Sequence, residues 1–217
     1  MDLEISDLRK DYTFQALNEA DVSPNPFEQF RIWFDQALAA QLLEPNAMTI
    51  ATASPEGIPS ARIVLLKGFD ERGFVFFTNY NSHKGQELQA NPHAAIVFLW
   101  RELERQVRIQ GTVEKVEATE SDAYFYSRPL GSRLGAWASD QSAVIPDRNI
   151  LEDKLIQLEA SYPDGEIPRP DHWGGFRVKP TVMEFWQGRS NRLHDRLRYQ
   201  KVGDQGSEIW QIDRLAP

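Results

Sequence analysis

Apolar side chains recur along this 217-residue chain at two periods. Phe27, Phe30, Phe34, Leu38 and Leu42 come three or four apart, which predicts one helix from Pro26 to about Glu44. Asn25 suits its N-cap, and Pro26 suits the first helical position, where no N–H is needed. From Ala47 the period changes. Met48–Ala53, Ala61–Phe69 and Phe74–Asn79 are β-branched or aromatic runs separated by Pro55-Glu56-Gly57 and Asp70-Glu71-Arg72-Gly73 turns. Connections this short predict an antiparallel meander. Ser82–Ala90 reads as a short helix, and Ala94–Arg101 and Arg105–Glu117 as two further strands. Helices at about Glu120–Ser127 and Asn149–Ser161 form an insert near 120–162. Strands then return at Gly175–Val178, Val182–Trp186, Leu193–Gln200 and Ile209–Arg214. The expected class is mainly β (α+β), a closed or nearly closed barrel with peripheral helices. Helices and strands do not alternate, which argues against a doubly wound fold. Residues 1–22 are too polar to form a core and read as a short helix or mobile arm before one domain spanning 23–217.

Charge narrows the function. Twenty-four Lys and Arg against 32 Asp and Glu leave a formal charge of −8, which does not suit a general grip on nucleic-acid phosphates. There is no cysteine, so disulfides, thiolate catalysis and thiolate-bound metals are excluded. The four histidines show no paired helical spacing, and no metal site is expected. No apolar run has the length of a membrane-spanning helix, and the acidic start lacks a signal-peptide pattern; the expected location is the cytoplasm. Glycine-rich Rossmann and Walker patterns are missing.

Four segments carry more polar character than their context requires. Arg62 and Lys67 are an odd number of residues apart, so an unbroken strand would turn them to opposite faces, either toward two anions or toward solvent. Thr78 to Lys84 runs from a strand end into a helix start, where N–H groups, Ser82 and Lys84 could cradle a phosphate or simply cap the helix. Tyr124, Arg128 and Ser132 offer three donors with no carboxylate between them, which suits a phosphate or an exposed helix end; Pro129 favours a turn there. Arg189 to Lys201 holds Arg189, Arg192, Arg196, Arg198 and Lys201 against Asp195 alone. That excess points to a small anionic ligand or to an ion-pair network. In a strand, Arg192, His194 and Arg196 would share a face, and both arginines would keep His194 neutral.

Arg62–Lys67, Phe76–Asn79, Leu103–Val107, Tyr124–Pro129, Gly135-Ala136-Trp137, Gln141-Ser142, Trp173–Arg177, Glu184–Gly188 and Arg192-Leu193-His194-Asp195-Arg196 resemble, in order, the motifs of the pyridoxine (pyridoxamine) 5′-phosphate oxidases. The closing Trp210–Pro217 does so too. The resemblance implies an FMN-binding split β-barrel and a homodimer with FMN between subunits. It also implies oxidation of pyridoxine or pyridoxamine 5′-phosphate to pyridoxal 5′-phosphate, with O2 as acceptor and H2O2 as product.

By the same resemblance Arg62, Lys67, Phe77, Thr78, Ser82, His83, Lys84, Gln106, Gln141, Ser142, Trp186 and Arg196 contact FMN. Lys67, Tyr124, Arg128 and Ser132 bind the substrate phosphate, and Arg192 and His194 stand beside the pyridine ring as the catalytic pair. Arg9 and Tyr12 match an N-terminal arm that closes over substrate. The family commonly has Ser-Arg-Lys where this chain has Ser82-His83-Lys84, so His83 replaces a permanent charge with a titratable one. A Tyr is usual at Phe77.

Overall fold

The computed structural model describes residues 12, 15–203 and 208–217; Arg9 lies outside them. The first helix, α1 (Pro26–Ala39), is capped by Asn25, whose side-chain oxygen accepts the Phe27 N–H at 2.8 Å. Its buried stripe is Phe27, Phe30, Trp33 and Ala37, whereas Leu38 faces solvent. The helix stops short of Glu44, because Gln41 and Glu44 take left-handed backbone angles (φ 54° and 46°).

The strands are β1 (Ala47–Ala53), β2 (Pro59–Leu65), β3 (Gly68–Asp70), β4 (Gly73–Asn79), β5 (His93–Trp100), β6 (Arg105–Lys115), β7 (Trp173–Gln187), β8 (Asp195–Val202) and β9 (Ile209–Arg214). After α1 come α2 (His83–Ala90), α3 (Ala118–Ser127), α4 (Leu130–Ala138) and α5 (Asn149–Ser161). Strand order is β2-β1-β5-β6-β7-β4-β3, with β8 on β7 and β9 on β8. The expected meander through the first three runs is not formed. The run Ala61–Phe69 breaks at Leu66-Lys67, so β2 ends the order on one side and β3 begins it on the other. The two runs expected at Gly175–Val178 and Val182–Trp186 form one strand, β7, which pairs β4 through Trp173–Val178 and β8 through Val182–Gln187.

The chain forms two compact units. The first comprises Met1–Thr49, Ala95–Gln110 and Pro180–Pro217; the second comprises Ile50–Ala94 and Gly111–Lys179. In the first, Phe30 packs on Phe98 at 5.1 Å, Trp33 meets Phe185 edge-on at 5.3 Å, and Phe185 meets Tyr199 at 5.4 Å. Tyr199 is fully buried, and its hydroxyl donates to the Ser23 carbonyl at 2.7 Å, which offsets the cost of burying that polar atom. In the second, Phe76 and Tyr80 both pack on Phe176. There Arg177, buried in the core, donates to Asp70 at 3.2 Å and to Glu120 at 2.8 Å, tying β3 and α3 to β7.

Candidate active site

In the second unit a cavity of about 460 Å³ lies between the end of β2, β4, the start of α2 and the α3–α4 corner. Arg62, Lys67, Lys84 and Arg128 line it, and among the described residues no carboxylate does. Arg62 and Lys67 reach one cavity despite their odd spacing because β2 ends at Leu65, leaving Lys67 on the connector.

The β4–α2 junction builds one wall. Ser82 is the N-cap of α2: its hydroxyl accepts the Gly85 N–H at 3.3 Å and donates to the Asn79 carbonyl at 2.6 Å. Lys84 Nζ then reaches back to Thr78 Oγ1 at 3.1 Å, Ser82 Oγ at 3.4 Å and Gln141 Oε1 at 2.8 Å. These partners are neutral, so burial first, and then the nearby Arg62 charge, lower the lysine's pKa. Arg62 is anchored from behind, donating to Thr52 at 2.5 Å and Ser60 at 2.6 Å and lying 3.3 Å from the buried Glu87 carboxylate.

The opposite wall is aromatic. Phe77 stacks on Tyr124 at 4.0 Å and on Trp173 at 5.6 Å. Tyr124 sits near the C-terminus of α3, Arg128 is the C-cap of that helix, and Pro129 is the N-cap residue of α4, which carries Ser132. A helix–turn–helix corner therefore gathers the three donors onto one cavity, with the turn at Pro129 as expected. The Arg128 guanidinium lies 4.6 Å from the Trp173 ring, and burial lowers its pKa. Its Nη1 is buried with no hydrogen-bond partner. A buried guanidinium nitrogen without an acceptor is costly alone and suits a site that takes an anion.

A second cavity of about 440 Å³ in this unit is lined by His83, Gln141 and Ser142, together with Asp140 and His172. His83 is exposed, with Nε2 3.6 Å from Glu87 Oε1 one helical turn on.

In the first unit Trp186 lies 4.5 Å from His194, and Tyr12 meets both rings edge-on at 5.8 Å. Tyr12, Gln106 and Trp186 line a cavity of about 550 Å³ there. The Arg189 N–H donates to His194 Nδ1 at 3.1 Å, which leaves the ring proton of the neutral form on Nε2. Burial first, then Arg192, lower the His194 pKa. The shared strand face expected for residues 192–196 is not formed. β8 starts only at Asp195, and Asn191 and Arg192 take left-handed angles (φ 55° and 62°), placing Arg192 on an exposed turn. Arg196 instead donates to Glu184 at 2.8 Å, which pairs its charge with a carboxylate. The basic run is largely an ion-pair network: Arg189 pairs with Asp195, Arg198 with Asp213 and Lys201 with Glu208. Among the described residues Arg192 alone of that run has no carboxylate partner.

Residues 34–162 match the family model described as pyridoxamine 5′-phosphate oxidase, and residues 173–217 match the pyridoxine 5′-phosphate oxidase C-terminal dimerisation region. The chain belongs to the pyridoxamine 5′-phosphate oxidase family. It is 65% identical over 217 residues, all of both chains, to the pyridoxine/pyridoxamine 5′-phosphate oxidase of Trichormus variabilis. It is 61% identical over 213 residues to pyridoxine/pyridoxamine 5′-phosphate oxidase 1 of Ralstonia nicotianae, covering 98% of this chain and 99% of that one. Among solved structures, PhzG from Burkholderia lata in complex with tetrahydrophenazine-1-carboxylic acid superposes with a TM-score of 0.85 at 33% identity, covering 91% of this chain and 95% of that one. A pyridoxamine 5′-phosphate oxidase-related, FMN binding protein of Nostoc punctiforme shares the fold, with a TM-score of 0.69 at 20% identity over 91% of this chain and 99% of that one. The fold is the split β-barrel with peripheral helices.

The sequence motifs do not single out Glu87, Asn79 or Trp173 as site residues. Glu87 carries a signal, standing four residues after His83 on a helix, the spacing at which side chains meet. Trp173 opens the Trp173–Arg177 motif, but its stacking on Phe77 depends on the β4–β7 register, which the motif does not show.

Proposed function

We propose that this chain oxidises pyridoxine 5′-phosphate or pyridoxamine 5′-phosphate to pyridoxal 5′-phosphate with FMN as cofactor and O2 as acceptor, releasing H2O2. The observation that carries this reading is the cavity with four cationic side chains and no carboxylate among the described residues, in a chain of net charge −8. A phosphate monoester carries about −1.5 to −2 at pH 7, so four cations match two such groups rather than one. Cofactor and substrate each bring one.

The donor set fits FMN. Arg62, Thr78 and Lys84 would hold its phosphate at the β4–α2 junction, with Lys67, Phe77, Ser82, His83, Gln106, Gln141, Ser142, Trp186 and Arg196 as further contacts. When bound, FMN supplies a two-electron acceptor that O2 regenerates. Lys67, Tyr124, Arg128 and Ser132 would take the substrate phosphate, and Arg128 Nη1 gains there the acceptor it otherwise lacks. Holding the phosphate fixes the ring by binding energy remote from the reacting carbon. His194 then acts from Nε2–H as a donor that orients the substrate, since Nδ1 already accepts the Arg189 N–H. Arg192, without a carboxylate partner among the described residues, stands with it at the ring, and Arg9 and Tyr12 complete the substrate side. The match to the C-terminal dimerisation region supports a homodimer. A cytoplasmic location belongs to the same reading; no helix among the described residues is long and apolar enough to cross a membrane.

Incubating the FMN-loaded protein with pyridoxine 5′-phosphate in air tests this. Equal amounts of pyridoxal 5′-phosphate and H2O2 are expected. Unphosphorylated pyridoxine cannot form the charge-assisted hydrogen bonds to Lys67 and Arg128, so its kcat/KM should be lower by about 100-fold or more. Equal rates for the two substrates would contradict the phosphate assignment.

A further inference from the structure

In the first unit the segment ahead of α1 is held at every second residue. Gln15 Oε1 accepts from Arg105 Nη2 at 2.8 Å. The Leu17 N–H donates to Asp195 Oδ2 at 3.1 Å, and the Leu17 carbonyl accepts from Arg214 Nη2 at 3.0 Å. Arg214 also donates to both oxygens of Glu19 at 2.7 Å and to Asp195 Oδ1 at 2.8 Å. The chain is extended at Asn18 (φ −111°, ψ 154°) and turns at Glu19, the first residue of a short 3-10 helix, Glu19–Asp21. Asp195 and Arg214 thus form an ion pair that closes on both peptide groups of one residue, whose own side chain is buried. Side chains do here what a neighbouring strand would do in a sheet.

Arg105 is the unusual member. It is 4% exposed, lies 4.3 Å from the Trp33 ring, and hydrogen-bonds to Gln15, Gln36 and Gln187, with no carboxylate among its partners in the described residues. Three amide oxygens satisfy its donors while joining the segment, α1, β6 and the end of β7 at one point. A buried charge held only by neutral groups costs stability, so its retention needs a reason beyond packing.

The reason lies three residues before Gln15. Tyr12 rests edge-on against Trp186 and His194, and its carbonyl accepts from Ser190 Oγ at 3.2 Å. A β-carbon at Gly188 would come within 2.7 Å of the Tyr12 ring, so the approach is close. We infer that Asp195, Arg214 and Arg105 are positioning residues for substrate: they fix residues 15–19 so that Tyr12 is presented to Trp186 and His194. This rests on the functional reading above and gives roles to three residues to which the resemblance assigns no contact with cofactor or substrate.

Steady-state kinetics of the FMN-loaded enzyme with pyridoxine 5′-phosphate, alongside FMN titration of the apoprotein, test it. Arg214→Ala should raise KM about tenfold or more, with kcat and the FMN Kd within about twofold, the pattern of weakened substrate binding with intact chemistry. Asp195→Asn keeps the shape and removes the charge; it should raise KM in the same direction even if Arg214→Ala folds poorly. Tyr12→Ala combined with Arg214→Ala should be no worse than the poorer single variant, because both act through one side chain. Effects that multiply in the double variant, or an FMN Kd that weakens in step with KM, would overturn the inference and leave these residues as general supports of the fold. A wild type that fails to oxidise the substrate would instead sink the functional reading before any variant is compared.

Discussion

At position 83 this chain has a histidine where the motif it resembles commonly has an arginine. His83 stands exposed at the start of α2, 3.6 Å from the Glu87 carboxylate that also anchors Arg62. An arginine there would carry a fixed charge and a planar fork of donors. His83→Arg should therefore tighten FMN binding by a few-fold at pH 8. Titrating apoprotein with FMN checks this; equal Kd values for wild type and variant would contradict it. Single residues are also where the sequence is least legible. Alternation puts Arg192 on a strand face with His194 and Arg196, but left-handed backbone at Asn191 and Arg192 interrupts the strand, and only the asparagine hints at it. Arg196 pairs with Glu184, and that pairing follows from the β7–β8 ladder rather than from any local pattern.

Among the elements, those with a capping signal are legible and those held by tertiary contact are not. Asn25-Pro26 and Ser82 announce α1 and α2, and both caps form. α4 carries no such signal, because Gly131 and Gly135 lower helix propensity in a short segment after a proline. The burial of Leu134, Ala136 and Ala138 is what holds it. Pro180 lacks an N–H and so suggests a break, yet β7 runs straight through it. That residue falls between the register with β4 and the register with β8, where neither of those ladders needs its donor. The β4–α2 junction places Lys84 in the cavity wall, and it depends on a close approach. A β-carbon on Gly85 would meet the Tyr80 carbonyl oxygen at 2.2 Å and the Asn79 carbonyl oxygen at 2.8 Å, both backbone atoms. Gly85→Ala should therefore destabilise the protein by about 1–3 kcal/mol, the usual cost of overpacking. It should also weaken FMN binding, since Ser82 and Lys84 would shift with the helix start. Urea unfolding and FMN titration measure the two effects, and a variant as stable as wild type would show that the helix start has room to move.

Across the whole molecule, an acidic chain gathers four cationic side chains on one cavity. The net charge of −8 is visible in the composition, and so are the motif segments that carry the family resemblance. Their convergence is not. Arg62 and Lys67 meet on one cavity only because a strand ends between them, and the α3–α4 corner brings Tyr124, Arg128 and Ser132 to the same place. Strand order is equally hidden, since the break at Leu66-Lys67 sends β3 to the far end of the order from β2. The cationic cavity is assigned to a flavin oxidation of a phosphorylated pyridine. The most direct test is the visible spectrum of the FMN-loaded protein, recorded without oxygen before and after addition of pyridoxine 5′-phosphate and again after air is admitted. The flavin absorbance should bleach on addition and return with air; a flavin band that substrate leaves unchanged would contradict the assignment.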